Sequence, residues 1–248
     1  MTEQNNNQER IAKFMAHAGV CSRREAESFI DQGRVMVNGQ VINTPATKVS
    51  LQDDIRFDGE RIQRQSPQVW RYYKPLGLIC SHKDPEGRKT IYDIIAKKHP
   101  TLPRVSSVGR LDLNSEGLLL LTNDGDISRY MELPATGWIR RYKVRVHGRV
   151  RDNDLEKLAK GVTVDGVRYG SIKVTLEKQQ GANAWLIISL TEGKNREIRK
   201  VMEYFGYKVN RLIRLSYGPF QLGNLKEDDV EEVPLKVLKD QIGKDFFK

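Results

Sequence analysis

Between Val108 and Gly125 the chain reads Val-Gly-Arg-Leu-Asp-Leu-Asn-Ser-Glu-Gly-Leu-Leu-Leu-Leu-Thr-Asn-Asp-Gly. One acid, Asp112, stands two residues after Arg110 at the mouth of a loop, and the loop runs into four consecutive leucines. Such an uninterrupted apolar run marks a strand buried on both faces. A carboxylate held against that wall is poorly solvated and needs a cation to stay ionised. The arrangement keeps a carboxylate available as a nucleophile or a base. The competing reading is a turn residue bonded to its own backbone, common for Asp ahead of Asn-Ser-Glu-Gly. Glu116 and Asp124 are near Asp112 in sequence only and read as loop acids.

No other constellation stands out. The two cysteines, Cys21 and Cys80, lie far apart without a paired motif. That suits a reducing cytoplasm, with neither a disulfide framework nor a zinc site. The four histidines are scattered. His17 and Cys21 share a helix face at most, and two ligands make no closed metal site. The N-terminal Met1–Asn7 is polar, and nothing resembles a signal peptide or a membrane span. The 248 residues carry a formal charge of +10 and are 38% hydrophobic. That excludes a disordered chain and points to a polyanionic partner.

The elements that must hold these residues fall into two groups. Up to about Arg64, Ile11, Phe14, Met15 and Ala18 recur at helical spacing and Gly19 stops the run. Ser22-Arg23-Arg24-Glu25 is a capping box that opens a second helix, with Ala26, Phe29 and Ile30 on its apolar face. Val35 to Ile42 forms a hairpin about Asn38-Gly39, and Val49 to Phe57 is a strand. Acids and bases balance over residues 1–66, nine against nine, so the excess charge lies beyond. Gln63 to Gln68 is polar, aperiodic and contains Pro67, as a linker does. After it come strands at Trp70–Tyr73, Tyr142–Val146, Ile172–Leu176 and Trp185–Leu190 and a hairpin at Asp165-Gly166. Helices fit 90–98, 126–132, 152–160 and 195–205. Strands interrupted by isolated helices predict an α+β class, with a large, mixed, mostly antiparallel sheet. The domains expected are 9–66 and 67–235.

Gly109-Arg110-Leu111-Asp112 followed by Gly117 to Gly125 resembles the catalytic motif of the RNA pseudouridine synthases that modify ribosomal RNA. Tyr73-Lys74-Pro75-Leu76-Gly77, Arg140 to Val144 and Thr191 to Met202 are similar to further motifs of that family. His82 to Thr90 resembles its branch of large-subunit ribosomal synthases of the B type. The N-terminal pattern, Ser22-Arg23-Arg24 with Gly33-Arg34-Val35-Met36-Val37-Asn38-Gly39, resembles the alpha-L RNA-binding fold of ribosomal protein S4. Together the resemblances cover nearly the whole chain.

They imply isomerisation of uridine to pseudouridine in ribosomal RNA, of the large subunit by the His82–Thr90 segment. Nothing is oxidised or hydrolysed in that reaction, so no cofactor and no metal are expected. Asp112 becomes the essential catalytic residue. Tyr142 becomes the active-site tyrosine, stacking on a displaced base or moving a proton; without the resemblance it reads as a core aromatic. On the helix over 195–205, Ile198, Val201, Met202 and Phe205 form the apolar stripe and Arg199 borders it. Arg199 is therefore the candidate partner for the Asp112 carboxylate, while Arg196, Lys200 and Glu203 point away. Residues 191–217 hold seven Lys/Arg against three Asp/Glu. Lys194, Arg196, Arg211 and Arg214, with Lys208, are expected on an RNA-facing surface, and Arg110 on the flipped base or a phosphate. In the N-terminal module Arg23, Arg24 and Arg34 are expected on RNA phosphates. The partner implied is ribosomal RNA, as a stem-loop or pre-ribosomal particle, bound by a cytoplasmic monomer with no membrane contact. The alternatives are a non-catalytic RNA-binding ribosome-assembly factor and the same chemistry on small-subunit RNA. An RNA hydrolase fits poorly, because it needs a second acid or a metal cluster near Asp112.

Overall fold

The structure is a computed structural model that describes residues 8–247; the polar segment Met1–Asn7 lies outside the described residues. The N-terminal module contains β1 (Glu9–Arg10), α1 (Ile11–His17), α2 (Arg23–Asp31), β2 (Val35–Val37), β3 (Gln40–Val41), β4 (Lys48–Val49), β5 (Ile55–Phe57) and β6 (Glu60–Arg61). The Ser22 hydroxyl accepts from the Glu25 N–H at 3.2 Å and the Glu25 carboxylate accepts from the Ser22 N–H at 2.8 Å. This reciprocal cap fixes where α2 starts. Its Ala26 and Ile30 meet Ile11, Phe14 and Met15 of α1 and Val35, Val49 and Ile55 of the strands in one small core. The expected strand over 49–57 is two strands. The Asp53 carboxylate accepts from the Ser50 N–H at 2.6 Å and so closes a turn between β4 and β5.

The second domain follows with β7 (Val69–Lys74), α3 (Ile91–Lys98), β8 (Ser106–Val108), β9 (Glu116–Thr122), α4 (Gly125–Glu132), β10 (Arg140–His147) and α5 (Asp152–Lys160). It continues with the hairpin β11 (Val162–Val164) and β12 (Val167–Tyr169), then β13 (Lys173–Gln180), β14 (Asn183–Leu190), α6 (Glu197–Tyr204) and β15 (Lys208–Tyr217). The last elements are β16 (Phe220–Gln221), β17 (Val230–Glu232) and α7 (Leu235–Ile242). Nine strands form one sheet along the path β13-β14-β10-β15-β9-β7-β17, with β16 beside β15 and β8 beside β9. Only the β15–β9 pairing is parallel among these.

Every residue of β9 is buried. Leu119 and Leu121 enter one core with Tyr142, Val144 and the apolar stripe of α6, whereas Leu118 and Leu120 enter another with Ile127, Met131 and Phe220. The four-leucine run is thus the wall between two cores, as its lack of alternation requires. Leu238 and Ile242 of α7 are buried in the second core, so that core extends past the expected boundary at 235.

Candidate active site

The site is built on the loop from Gly109 to Ser115, which joins β8 to β9. Five consecutive carbonyls of this loop accept hydrogen bonds. The Leu111 carbonyl takes the Cys80 thiol at 3.4 Å, and the Leu113 carbonyl takes the Gly77 N–H at 2.9 Å. The Asn114 carbonyl takes the Arg199 guanidinium. The Asp112 and Ser115 carbonyls take the Lys74 ammonium at 3.2 and 2.9 Å. Lys74 completes its donors on its neighbour, the Pro75 carbonyl, at 2.9 Å. Its side chain is fully buried at the end of β7, and burial pushes its pKa down to about 8. A loop held at each carbonyl cannot swing, so the direction of the Asp112 side chain is set before any substrate arrives.

The Asp112 carboxylate itself is one-third exposed. The expectation of a poorly solvated carboxylate against the leucine wall is corrected: the leucines are buried, but the acid leans off the wall toward solvent. Its ion-pair partner is also corrected. Arg196 Nη1 lies 3.8 Å from Asp112 Oδ2. Arg199 instead reaches the Asn114 carbonyl of the same loop and, at 3.1 Å, the Val209 carbonyl of β15. Burial lowers the Arg199 pKa, the charge of Arg196 adds to this, and the charge of Asp112 opposes it. Arg196 escaped the helical projection because it is not in the helix. It precedes α6 with φ +51°, and Glu197, whose carboxylate accepts from the Lys194 N–H at 2.9 Å, is the first helical residue. A non-glycine residue in that region is held by its surroundings, a common mark of a functional turn.

Tyr142 is buried on β10 and shares the core with Leu111, the neighbour of Asp112. Arg110 is exposed on the Gly109–Ser115 loop. Lys194 pairs with Glu192 and lies over the ring of Tyr169. Arg211 binds Glu116 through one guanidinium edge, Nε to one carboxylate oxygen at 2.6 Å and Nη2 to the other at 3.0 Å. Glu116 is a fully buried strand residue that also accepts from the Tyr73 hydroxyl at 3.0 Å, not a loop acid. Asp124 is likewise not a loop acid: it is buried, caps α4 and pairs with Arg64 at 3.2 Å. Arg214 is 2% exposed and donates to the Leu118 carbonyl at 2.6 Å, so it belongs to the interior and not to an RNA-facing surface. In the N-terminal module Arg34 lies over the rings of Phe29 and Phe57, which touch each other, and is paired with Asp58, Arg23 lies 3.9 Å from Asp126, and Arg24 is exposed. Lys74 went unselected in the sequence. Its signal was a lone lysine ending a strand of buried aromatics, with no partner nearby in sequence.

Residues 68–204 match the family of RNA pseudouridylate synthases, and residues 9–55 match the S4 domain. An RNA pseudouridine synthase of Rickettsia felis is 48% identical over 232 residues, covering 93% of this chain and 99% of that one. Ribosomal large subunit pseudouridine synthase B of Yersinia pestis is 38% identical over 220 residues, covering 86% of this chain and 69% of that one. A crystal structure of a pseudouridylate synthase superposes with a TM-score of 0.66 at 25% identity, covering 94% of this chain and 99% of that one. An RNA-binding module ahead of a sheet domain with one preorganised carboxylate loop defines an RNA-modifying enzyme. The chain belongs to the RNA pseudouridine synthase family, and its reaction is the isomerisation of uridine in RNA.

Proposed function

We propose that the protein isomerises a specific uridine of large-subunit ribosomal RNA, with Asp112 as the catalytic group. The observation that carries this reading is the Gly109–Ser115 loop, whose five bonded carbonyls hold one solvent-reaching carboxylate in place. The target base leaves its stack, at a cost of a few kcal/mol. Asp112 acts as nucleophile or base toward the nucleotide. The bond from ribose C1′ to uracil N1 breaks, uracil turns, and C1′ bonds to C5. The C5 proton is lost and N1 gains one, so the reaction is balanced without a redox partner or water. Arg196 faces the carboxylate and steadies its charge, and Arg199 fixes the loop through Asn114. Tyr142 stacks on the displaced base. Arg110, Lys194 and Arg211 offer contacts to phosphates, and the N-terminal module anchors flanking RNA through Arg23, Arg24 and Arg34.

The large-subunit assignment is supported by the similarity to synthase B and by the His82–Thr90 segment. Separate cores support a division near residue 66, with the catalytic domain carried past 235 by α7. Action as a monomer on an RNA stem-loop in the cytoplasm completes the proposal; no described helix is long and apolar enough to cross a membrane. The test is tritium release from uracil C5 in unmodified ribosomal RNA. Release with large-subunit RNA, abolished by Asp112→Asn, is expected. Tight binding without release would instead make the protein an assembly factor.

A further inference from the structure

The second core ends at β15: its members come from β7, β8, β9, β15 and β16, from α4 and α7, and from nearby loops, and none comes from β10, β13 or β14. The outward side of that half of the sheet is therefore open. Tyr142, Val144 and Val146 of β10 point into the first core, while Arg141, Arg145 and His147 are exposed on the other side. Register places Lys173, Lys178 and Trp185 on this open side through β13 and β14, and Lys208 and Arg211 through β15. Of its exposed cations, Arg211 is paired with Glu116. Arg141, Arg145, Lys173, Lys178 and Lys208 make no ion pair among the described residues.

The arrangement breaks a rule of sheet design. Arg145 lies directly opposite Arg211. Like charges so placed destabilise a sheet. Glu116 answers the charge of Arg211, but Arg145 has no such partner among the described residues, and a local rule broken in this way marks a position used for function. Bound phosphates would supply the missing counter-charge. Arg145 also lies opposite the partly exposed Trp185, a flat ring on which an unpaired base can stack. The face is continuous with the catalytic loop. Arg211 grips Glu116, four residues beyond Asp112, and the Val209 carbonyl at the same end of β15 is bound by the Arg199 that holds Asn114.

We propose that the open face of β10, β13, β14 and the start of β15 is a second RNA-contact surface, which takes the sugar–phosphate backbone of the strand leading away from the target nucleotide. The proposal rests on the reading of this protein as a ribosomal RNA pseudouridine synthase.

The experiment uses the full chain with unmodified large- and small-subunit ribosomal RNA transcripts, taking whichever the wild type modifies. A triple variant, Arg141→Ala, Arg145→Ala, Lys178→Ala, is compared with a control triple on other surfaces, Lys97→Ala, Lys236→Ala, Lys244→Ala. Each lost phosphate contact lowers the salt slope of log affinity by about 0.7 on a single strand. The expected result is an affinity about tenfold weaker at near-physiological salt and a slope flatter by about two units. Single-turnover isomerisation at saturating RNA should stay within about twofold, because none of the three residues touches the catalytic loop. Free of like-charge contacts, the triple variant should melt at or above the wild-type temperature. If it does not fold, Arg145→Ala alone carries the same test with a smaller shift. Unchanged affinity and slope overturn the proposal, as they would if an acidic protein were the occupant. An equal loss in the control triple also overturns it, since bulk charge then suffices. A wild type that isomerises neither transcript refutes the functional reading itself.

Discussion

Replacing Asp112 with Asn keeps the size of the side chain and all the main-chain bonds of its loop, so the substitution isolates the carboxylate. Turnover should fall to below a few per cent of wild type with RNA affinity nearly intact. Retention of wild-type turnover would remove Asp112 from the chemistry. The two arginines near it act differently. Arg196→Ala takes away the only ion-pair partner that Asp112 has among the described residues, whereas Arg199→Ala releases the Asn114 and Val209 carbonyls. Both should lower single-turnover rates by about tenfold, Arg199→Ala through its lost charged hydrogen bonds and Arg196→Ala through the lost ion pair at 3.8 Å, while Lys200→Ala, exposed on α6, should be silent. Equal losses in all three would show that only bulk charge matters. Lys74 adds a pH dependence. Its folded-state pKa, about 8, lies below the ordinary lysine value. Between the two, the unfolded chain keeps the proton that the folded chain gives up, so this group's burden on stability is greatest below pH 8 and fades as pH rises. Activity should move the other way. A neutral amine has two N–H groups for three carbonyls, so the catalytic loop loses a tie. A single-turnover profile that falls with a midpoint near pH 8 is expected; a profile flat through that range would separate Lys74 from catalysis.

The parallel contact between β9 and β15 decides whether that loop is positioned at all. Gly117 has φ +99°, and a Cβ there would sit 2.5 Å from the Arg214 carbonyl oxygen and 2.8 Å from its nitrogen. Both obstacles are backbone, so nothing flexible can yield. Gly117→Ala should cost on the order of 3 kcal/mol, as strain at a required conformation does. It should also separate Glu116 from Arg211, and a thermal melt beside a rate measurement checks it. A melting temperature within a degree or two of wild type would show the strands able to slide apart. This contact also shows what could be read from the chain. The four leucines, the Ser22–Glu25 cap and the Asn38-Gly39 hairpin are local patterns, and the structure contains all three. Residues whose meaning depends on distant partners carry no such local pattern. Arg214 looks like one more cation in a basic run until Leu118, 96 residues away, supplies its acceptor. Glu116 becomes a buried anchor only through Arg211. Arg196 falls off the helical projection because α6 begins two residues later than the spacing predicts, and a left-handed residue before a helix has no place on such a projection.

At the scale of the whole molecule, the N-terminal module is tied to the catalytic domain by charge rather than by a shared core. Lys13 pairs with Asp126 at 2.6 Å, Arg64 with Asp124 at 3.2 Å and Glu25 with Arg104 at 3.0 Å. The Gln63–Gln68 segment is fastened too: Asn123 donates to the Ser66 carbonyl at 3.0 Å and accepts from the Gln68 N–H at 2.8 Å. Deleting residues 1–66 therefore uncovers mainly polar groups and leaves both cores of the large domain whole. The truncated protein should be soluble and cooperatively folded. Its RNA affinity should fall, but by less than a count of arginines suggests. Arg34 already has Asp58 and Arg23 lies near Asp126, so of the three arginines expected on phosphates Arg24 alone has no ion pair among the described residues. Arg10 and Lys48, opposite each other across β1 and β4, are exposed and make no ion pair among the described residues. The salt slope of log affinity should flatten by about one unit if Arg24 acts alone, and by at most about three with the other two. Single-turnover chemistry at saturating RNA should change much less, because every residue that touches the Asp112 loop lies beyond the deletion. A folded truncation with unchanged affinity and slope would make the module a brace for the catalytic domain. One that binds normally but isomerises slowly would mean that the Asp124–Asp126 contacts reach the catalytic loop through β9.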